Sequence, residues 1–179
     1  MRVIAGEFRS RRLKSLPGMN TRPTPDRMRE SLFSILQPSL EGAVFVDAYA
    51  GTGAVGIEAL SRGAARAIFL ERNPGALAVI RENLQALAIG PDRATILSGL
   101  IADTLPKAAV PADFVFLDPP YERANEYETT LSWLGVHPVP VVIAQHSPRL
   151  NLEENHGRLA RYRIVRQGDN WLSFFAPES

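Results

Sequence analysis

The sequence predicts an α/β fold in which a mostly parallel sheet is covered by helices on both faces. Two features of the 179-residue chain indicate this class: short, continuously apolar runs, and stretches of helical periodicity between them. A third feature is the alternating ending "RYRIVRQGDNWLSFF", which predicts an antiparallel hairpin around residues 167–170. A small basic extension, residues 1–38, is expected to precede the main domain, residues 39–179.

The elements of the extension come first along the chain. Residues 2–16 mix short apolar pairs with arginines and predict a strand or hairpin, which a loop rich in turn-forming residues follows. Thr24 has the character of a helix N-cap with Pro25 at the first helical position. Apolar residues at helical spacing then predict an amphipathic helix over residues 25–37, ended by Pro38.

The main domain alternates strand and helix. A glycine loop follows the first strand, and each later strand is separated from the next by a helical segment. The expected strands are residues 43–48, 67–71, 94–97, 113–118 and 141–145. The expected helices are one ending near Arg62, residues 74–88, residues 101–109, and a segment containing Tyr127, Leu131 and Leu134.

Composition and charge narrow the functional class. The chain is 45% hydrophobic and 22% charged, has no cysteine, and has no apolar run near the roughly 20 residues that span a membrane. Its first residues lack the apolar core of a secretory signal, so we expect a cytoplasmic protein. The net charge of +1 hides an asymmetry: residues 1–30 contain eight Lys or Arg and three acids, a local net charge of +5. An arginine-rich end on a mildly acidic body predicts a polyanionic partner, the alternative being a solvated charged tail.

The glycine loop is the first candidate binding motif. Residues 51–56 spell G-x-G-x-x-G, and Glu71 lies 20 residues beyond Gly51, as in dinucleotide-binding enzymes. Here, however, Asp47 ends the strand and three residues intervene, giving D-x-x-A-G-x-G. A carboxylate at the strand tip repels a pyrophosphate and suits a cationic ligand. The methionine end of S-adenosylmethionine carries an ammonium and a sulfonium, so the motif favours that cofactor over NAD.

The stretch Asp118-Pro119-Pro120-Tyr121 is the second motif, and it stands at the tip of the fourth strand. The amine of a nucleobase is a poor nucleophile because its lone pair is delocalised into the ring. The Asp118 carboxylate and the Pro119 carbonyl can accept hydrogen bonds from its two N–H groups, and this favours a pyramidal nitrogen. The prolines hold the loop rigid and free of N–H donors, and Tyr121 can stack on a flipped base.

Together these stretches resemble the RsmD family of bacterial 16S rRNA (guanine(966)-N2)-methyltransferases. The similarity runs in order through "RVIAGEFRSRRL", "TRPTPDRMRESLFSIL", "DAYAGTGAVGIEALSRGA", "FLERN", "FLDPPY" and the final hairpin. It implies a class I S-adenosylmethionine-dependent methyltransferase fold, which is Rossmann-like, with seven strands of which the last two form the hairpin. It also implies methyl transfer from S-adenosylmethionine to the N2 amine of a guanine in small-subunit rRNA.

The resemblance also implies site residues. Asp118, Pro119 and Tyr121 would hold the guanine. The cofactor would be held by the glycine loop and the ends of the next two strands, namely Asp47, Ala50, Gly51, Thr52, Gly53, Glu71, Arg72, Leu100 and Ile101. Arg22, Pro23 and Thr24 would close over the site, with Arg27 and Arg29 near the RNA. No metal is expected.

One position departs from the family pattern. Relatives usually have an acidic or amide residue followed by alanine after the third strand, positioned at the adenine ring. Here the pair is Leu100-Ile101, so adenine recognition would rest on backbone groups. Asp103 comes three residues late and is expected to face solvent.

Other functions fit parts of the same pattern. D-P-P-Y serves the N6 amine of adenine equally well, although the chain has no room for a separate target-recognition domain. Methylation of a protein glutamine normally goes with asparagine where Asp118 stands, and a catalytically silent RNA-binding module would not need D-P-P-Y. Whether the substrate is naked 16S rRNA or an assembled or assembling small subunit stays open. We expect a monomer.

The basic end itself is expected to dock RNA. The candidate phosphate contacts are Arg9, Arg11 and Arg12. Each contact is expected to contribute about 0.7 to 0.9 to the slope with which log affinity falls against log salt concentration. Because the segment precedes the first strand of the sheet, the cofactor pocket is expected to form without residues 1–16.

Overall fold

A computed structural model describes residues 1–17 and 25–179 of the chain. Described helices and strands alternate through the main domain, and a short 3₁₀ turn, Tyr121–Arg123, follows the fourth strand. The helices are α1 Asp26–Leu40, α2 Ala54–Ser61, α3 Pro74–Ala86, α4 Ile101–Ala109 and α5 Asn125–Val136. The strands are β1 Val44–Ala48, β2 Arg66–Glu71, β3 Ala94–Ser98, β4 Phe114–Leu117, β5 Val141–His146, β6 Asn155–His156, β7 Leu159–Gln167 and β8 Asn170–Pro177.

All eight described strands form one sheet in the order β3-β2-β1-β4-β5-β8-β7-β6. The first five strands in that order are parallel, and the last three pair antiparallel. The predicted mostly parallel sheet with a C-terminal hairpin is therefore confirmed. It has eight strands where seven were expected. The extra strand is β6, which has two residues and is too short to leave an alternating pattern in the sequence.

Helices cover both faces of the sheet. Alternate residues of β1 separate the two cores: Val46 packs with α4 and α5, and Phe45 packs with α1 and α2. A third cluster joins α2 and α3 to β2. Because the parallel strands are covered on both sides, nearly every residue in them is apolar, and this is why they appear as continuous apolar runs.

Helix α1 differs from its predicted limits. It begins at Asp26, with Pro25 in the cap position, and it continues through Pro38 to Leu40. A proline inside a helix removes one backbone hydrogen bond and was expected to end this one. Leu40, however, is fully buried beneath the helix, and its burial favours the extra turn. The predicted N-cap, Thr24, lies outside the described residues.

The N-terminal segment, residues 1–17, folds back on itself as the predicted hairpin. A single antiparallel bridge joins Arg2 to Arg12, and backbone bonds on either side of it extend the pairing. Val3, Phe8 and Leu13 are buried in the cluster that joins α2 and α3. The segment is thus packed against the helices of the main domain.

The order of the strands creates the place where a ligand can bind. From β1 the chain proceeds outward to β2 and β3, then crosses back to β4 on the other side of β1. Helices leave the carboxyl ends of β1 and β4 toward opposite faces, so a crevice opens between those two strand ends. The sequence motifs that follow β1, β2 and β4 all lie at this edge of the sheet.

Candidate active site

A cavity of about 1160 Å³ lies over the carboxyl ends of β1 to β4. Each of these strands contributes its last residue or the residues just after it. Asp47 comes from β1, Glu71 from β2, Leu100 from the turn after β3, and Asp118 from the turn after β4. Residues that are 71 positions apart in the sequence therefore share one wall. The cavity is large enough for a nucleoside-sized ligand together with part of a second one.

The glycine loop is shaped for close approach at two positions. Gly53 caps α2 in the left-handed conformation, with φ of 81°, which an L side chain rarely adopts. At Gly56, a Cβ atom would lie 2.4 Å from the ring of Phe69 on β2, so this glycine allows helix and strand to pack closely. The third glycine of the motif thus serves helix packing and does not line the cavity.

Glu71 joins the glycine loop to the next helix. One of its carboxylate oxygens accepts a 2.8 Å hydrogen bond from the Gly51 amide. The other accepts bonds of 2.8 and 2.9 Å from the amides of Arg72 and Asn73. Each carboxylate oxygen has two acceptor sites, so capacity is left for a ligand hydroxyl. The three amides hold the carboxylate in one orientation at the cavity wall.

Asp47 is almost completely buried, with 2% of its surface exposed. Burial raises the pKa of this carboxyl well above its ordinary value, and the neighbouring Asp118 and Glu71 carboxylates raise it further. The Gly56 amide, which donates a 2.9 Å hydrogen bond to Asp47, acts in the opposite direction. Three carboxylates around one cavity make a site that favours a cation.

The D-P-P-Y residues form a rigid turn at the mouth of the cavity. Pro119 is buried against the fold, whereas Tyr121 is 64% exposed at the start of the 3₁₀ turn. Asp118, which precedes both, is half-buried and lines the cavity with them. A carboxylate, a rigid backbone carbonyl and an exposed aromatic ring are thereby brought within one turn of chain.

Tyr49 is a cavity residue that the sequence reasoning did not single out. It has a positive φ of 62°, rare for a residue with a side chain, and its hydroxyl lies 2.8 Å from that of Thr130 on α5. Burial raises the pKa of its hydroxyl. The contact joins the loop that follows β1 to α5, the helix that follows D-P-P-Y. The sequence signal that could have identified Tyr49 is its position inside the D-x-x-A-G-x-G motif.

The N-terminal segment also reaches the cavity, and the expectation that the cofactor pocket forms without residues 1–16 stays a prediction. Met1, Ser15 and Leu16 are among the lining residues, so the pocket in its present form includes part of residues 1–16. The buried Asn83 of α3 makes the connection: it accepts a 2.7 Å bond from the Lys14 amide and donates a 3.0 Å bond to the Thr52 carbonyl. Nothing in the local sequence of either segment predicts this contact.

Leu100 stands where relatives usually have an acidic or amide residue. It caps α4, is 53% exposed, and lines the cavity together with Ile101. Asp103 is exposed and is not among the lining residues. An adenine ring at this place would meet an aliphatic side chain and the first backbone amides of a helix.

The structure separates the arginines that were expected near RNA. Arg9, Arg11, Arg12 and Arg27 are exposed, while Arg22 and Thr24 lie outside the described residues.

Arg29 corrects the prediction for its position. Its side chain is fully buried, it donates bonds of 2.9 Å to the Arg2 carbonyl and 2.8 Å to Asp26, and it lies 3.7 Å from Glu58. The prediction of Arg29 near RNA is wrong, because three and four residues on are the inward-facing Leu32 and Phe33, and Arg29 shares their face.

Neither a cluster of metal ligands nor a membrane-spanning helix is found among the described residues. Across residues 1–17 and 25–179, no group of three or more His, Asp or Glu could hold a metal ion. None of the described helices is long and apolar enough to cross a membrane.

Comparison with known proteins agrees with this geometry. The sequence pattern of the family described as Conserved hypothetical protein 95 matches residues 1–176. Ribosomal RNA small subunit methyltransferase D of Haemophilus influenzae is 38% identical over 162 residues, which are 87% of this chain and 84% of that protein. YlbH of Bacillus subtilis is 32% identical over 174 residues, 94% of each chain.

Solved structures show the same fold. The Escherichia coli protein yhhF superposes with a TM-score of 0.86 at 30% identity, covering 99% of this chain and 98% of that one. An RNA methyltransferase of Salinibacter ruber, solved with S-adenosyl-L-homocysteine, superposes with a TM-score of 0.65 at 20% identity, covering 88% and 95%. At that identity the second likeness concerns the fold alone.

Proposed function

Because the chain belongs to the RsmD family of S-adenosylmethionine-dependent methyltransferases, we propose that it methylates the N2 amine of a guanine in 16S rRNA. The observation that carries the proposal is the placement of Asp118 and Tyr121 at the mouth of a cavity walled by Asp47 and Glu71. One end of the cavity suits a cationic cofactor, and the other suits a flat base that carries an amine.

The residues present fit the cofactor. Asp47 and Asp118 supply negative charge near the glycine loop, and Glu71 has remaining acceptor capacity for ribose hydroxyls. The first amides of α4, next to Leu100, would recognise the adenine ring. S-adenosylmethionine, when bound, supplies an electrophilic methyl group on a sulfonium.

The protein's own contribution to the reaction is to prepare the amine. The Asp118 carboxylate and the Pro119 carbonyl accept hydrogen bonds from the two N–H groups of the amine. These bonds favour a pyramidal nitrogen with its lone pair directed at the methyl group. Pro119 and Pro120 have no backbone N–H, so this turn has no donor there that could bond the Asp118 carboxylate or the Pro119 carbonyl in place of the amine. Tyr121 stacks on the ring and fixes its plane. After transfer the nitrogen carries an excess proton, which Asp118 is placed to receive.

The family relationship favours rRNA over other polymers. Two relatives at 37–38% identity are named ribosomal RNA small subunit methyltransferase D, which supports the same class of substrate for this chain. The exposed arginines of the N-terminal segment and α1 are consistent with a polyanionic partner. We place the reaction in the cytoplasm, with the enzyme acting as a monomer.

The test is to identify the methylated nucleoside. In vitro-transcribed 16S rRNA, alone or assembled into small subunits, is incubated with the protein and S-adenosylmethionine, then digested and examined by mass spectrometry. We expect N2-methylguanosine at one position. N6-methyladenosine would show that D-P-P-Y serves adenine here, and no methylation of either form would contradict the assignment to rRNA.

A further inference from the structure

The C-terminal hairpin ends at the same edge of the sheet as D-P-P-Y. Strand β8 is antiparallel to β5, and its Trp171 pairs with His146, the last residue of β5. Strand β5 is parallel to β4, with Ala144 opposite Leu117, so Trp171 lies level with Pro119. The turn between β7 and β8 therefore projects from the carboxyl edge. With strands about 4.8 Å apart, β7 lies about 14 Å from β4 along this edge.

Arginines occupy this hairpin. Strand β7 contains Arg161, Arg163 and Arg166 and no acidic residue. Arg161 is engaged, since it lies 3.3 Å from Glu154 and bonds the Leu152 carbonyl. Arg163 and Arg166 are exposed. No ion pair between described residues includes either of them.

Arg166 is held in place by stacking. Its guanidinium carbon lies 5.0 Å from the centre of the Trp171 ring, and Trp171 in turn meets His146 edge-on at 6.3 Å. A guanidinium over an aromatic face has its N–H groups in its own plane, parallel to the ring, and these groups stay available to bond an anion at its edge. Because the side chain is already ordered, it loses less entropy when it binds a phosphate.

The hairpin is braced against the start of α1. The Gln167 amide donates a 3.0 Å hydrogen bond to the Ser31 hydroxyl. Arg27 lies four residues before Ser31, one helical turn nearer the carboxyl edge on the same side of the helix, and it is exposed. Arg163 lies on the α1 face of β7, the face that carries Val165 and Gln167, whereas Arg166 and Trp171 lie on the opposite face. Arg27, Arg163, Arg166 and Trp171 therefore surround the hairpin, and together they are called the hairpin–helix surface. The exposed acids of the same segments are Asp26, Glu30 and Asp169. Asp26 bonds the buried Arg29, so the three exposed arginines exceed the remaining two acids by one charge.

The N-terminal arginines lie elsewhere. Arg11 donates a 2.8 Å bond to the carbonyl of Ala86, the last residue of α3. That helix starts at the carboxyl edge and runs about 18 Å away from it. Arg9 is in the same turn, which also bonds Ser61, the last residue of α2, through Glu7. Arg9 and Arg11 are therefore at the amino edge, away from D-P-P-Y.

We propose that the hairpin–helix surface is the RNA-docking surface beside the active site, binding phosphates of nucleotides that flank the flipped guanine. The proposal rests on the proposed function. A base held at Tyr121 continues into backbone on both sides, and this surface presents exposed arginines along the same edge. Phosphate contacts here would set which nucleotide reaches D-P-P-Y.

The test measures binding of in vitro-transcribed 16S rRNA between 50 and 200 mM KCl. Removing two phosphate contacts, in Arg163→Gln/Arg166→Gln, should flatten the slope of log affinity against log salt by about 1.4 to 1.8 units. At 0.1 M salt this corresponds to binding weaker by roughly 25- to 60-fold. Restoring the charges in Arg163→Lys/Arg166→Lys should recover most of the slope.

Two further variants make the comparison specific. Arg81→Gln/Lys107→Gln removes the same charge from exposed positions on α3 and α4 and should leave the slope within about 0.3 units of the parent's. Arg9→Gln/Arg11→Gln tests the amino edge directly. S-adenosyl-L-homocysteine affinity, measured by calorimetry, shows that each variant is folded and should not change.

The proposal is overturned if the hairpin variant keeps the parent's slope, or if the Arg81 and Lys107 variant flattens it equally. Loss of slope only in the Arg9 and Arg11 variant would return RNA docking to the amino edge. These results do not depend on methylation. If the parent binds rRNA with the expected slopes but transfers no methyl group to it, the proposed function fails and the docking surface stands.

Discussion

At the scale of single residues, charge in the cavity is the main determinant of what binds. Asp47, Glu71 and Asp118 converge on one space. Burial is the main cause of the raised pKa of Asp47, and repulsion by the other two carboxylates adds to it. Among the described residues, the Gly56 amide acts to lower that pKa. A cationic ligand relieves this repulsion, whereas a pyrophosphate would increase it. The physical preference seen in the sequence at Asp47 is therefore reinforced by residues distant from it.

The buried Asp47 carboxyl should make the ligand-free protein less stable as pH rises. Its folded-state pKa lies above its unfolded-state value, so the unfolded chain loses the proton first and unfolding is favoured above the ordinary aspartate pKa. Asp47→Asn keeps an acceptor for Gly56 and removes the charge. We expect it to melt at a higher temperature than the parent at pH 8 and at a similar temperature at pH 4.

The exposed Asp92→Asn is the matched control, and it should melt like the parent at both pH values. Calorimetry should also show weaker S-adenosylmethionine binding to Asp47→Asn. A melting difference that is the same at pH 4 and pH 8 would mean that ionisation of Asp47 is not its cause.

Asp118 should matter for transfer more than for binding. Asp118→Asn keeps the size of the side chain and removes the charge that favours a pyramidal amine. We expect single-turnover methylation to slow by roughly 10²- to 10⁴-fold, with S-adenosyl-L-homocysteine affinity changed only a few-fold. Glu122→Gln, on the other side of Tyr121, is the control and should stay within a few-fold of the parent rate. Normal turnover in Asp118→Asn would show that the Asp118 carboxylate does not take part in methyl transfer.

At the scale of elements, α1 shows how one helix can carry both a buried and an exposed arginine. Arg29 reaches inward to Glu58 of α2, whose oxygens also accept the amides of Ile4 and Ala5. Arg62 completes the cluster through a 2.8 Å bond to the same carboxylate. The cluster joins the N-terminal segment, α1 and α2, so it stabilises their packing.

Arg29→Ala should therefore destabilise the fold. Removing one partner from a buried ion pair leaves Glu58 with less compensation and opens space beneath α1, at an expected cost of about 3 kcal/mol. The matched change Arg27→Ala, on the exposed side of the same helix, should cost less than about 0.5 kcal/mol. Urea denaturation measures both. Similar stability in the two variants would show that the buried cluster contributes little.

At the scale of the whole molecule, the cavity is assembled from distant parts of the chain. The N-terminal segment contributes lining residues, and Asn83 couples it to the glycine loop through Lys14 and Thr52. Strands β1 to β4 contribute the carboxylates and the D-P-P-Y turn. Cofactor binding and docking of the first 17 residues should accordingly depend on each other.

Asn83→Ala tests this coupling. The change leaves the Lys14 amide and the Thr52 carbonyl without their buried partner, at an expected cost of about 2 to 3 kcal/mol in the free energy of unfolding. S-adenosyl-L-homocysteine should also bind more weakly, because Thr52 belongs to the glycine loop that we propose holds it. Asn151→Ala, at an exposed position, is the control and should change neither quantity. If Asn83→Ala loses stability and keeps full affinity, the segment is only a structural support.

Much of this protein was determined by the sequence alone. Alternating apolar runs and helical periodicity predicted the α/β class and most elements to within a few residues, because these patterns depend on local spacing. The two motifs and the family resemblance identified the cofactor class. The prediction that α1 ends at Pro38 was wrong, because the burial of Leu40 is a property of the packed helix and not of its local sequence.

Only the tertiary structure decided which side and which edge each charge occupies. Arg27 and Arg29 are two residues apart, yet one is exposed and the other fully buried beside Glu58. Arg11 is near the N-terminus of the chain and packs at the far end of α3, whereas Arg166, close to the C-terminus, lies along the edge that holds D-P-P-Y. Such placements depend on the order of strands in the sheet and on which helix ends meet, and both arise from contacts between segments far apart in the sequence.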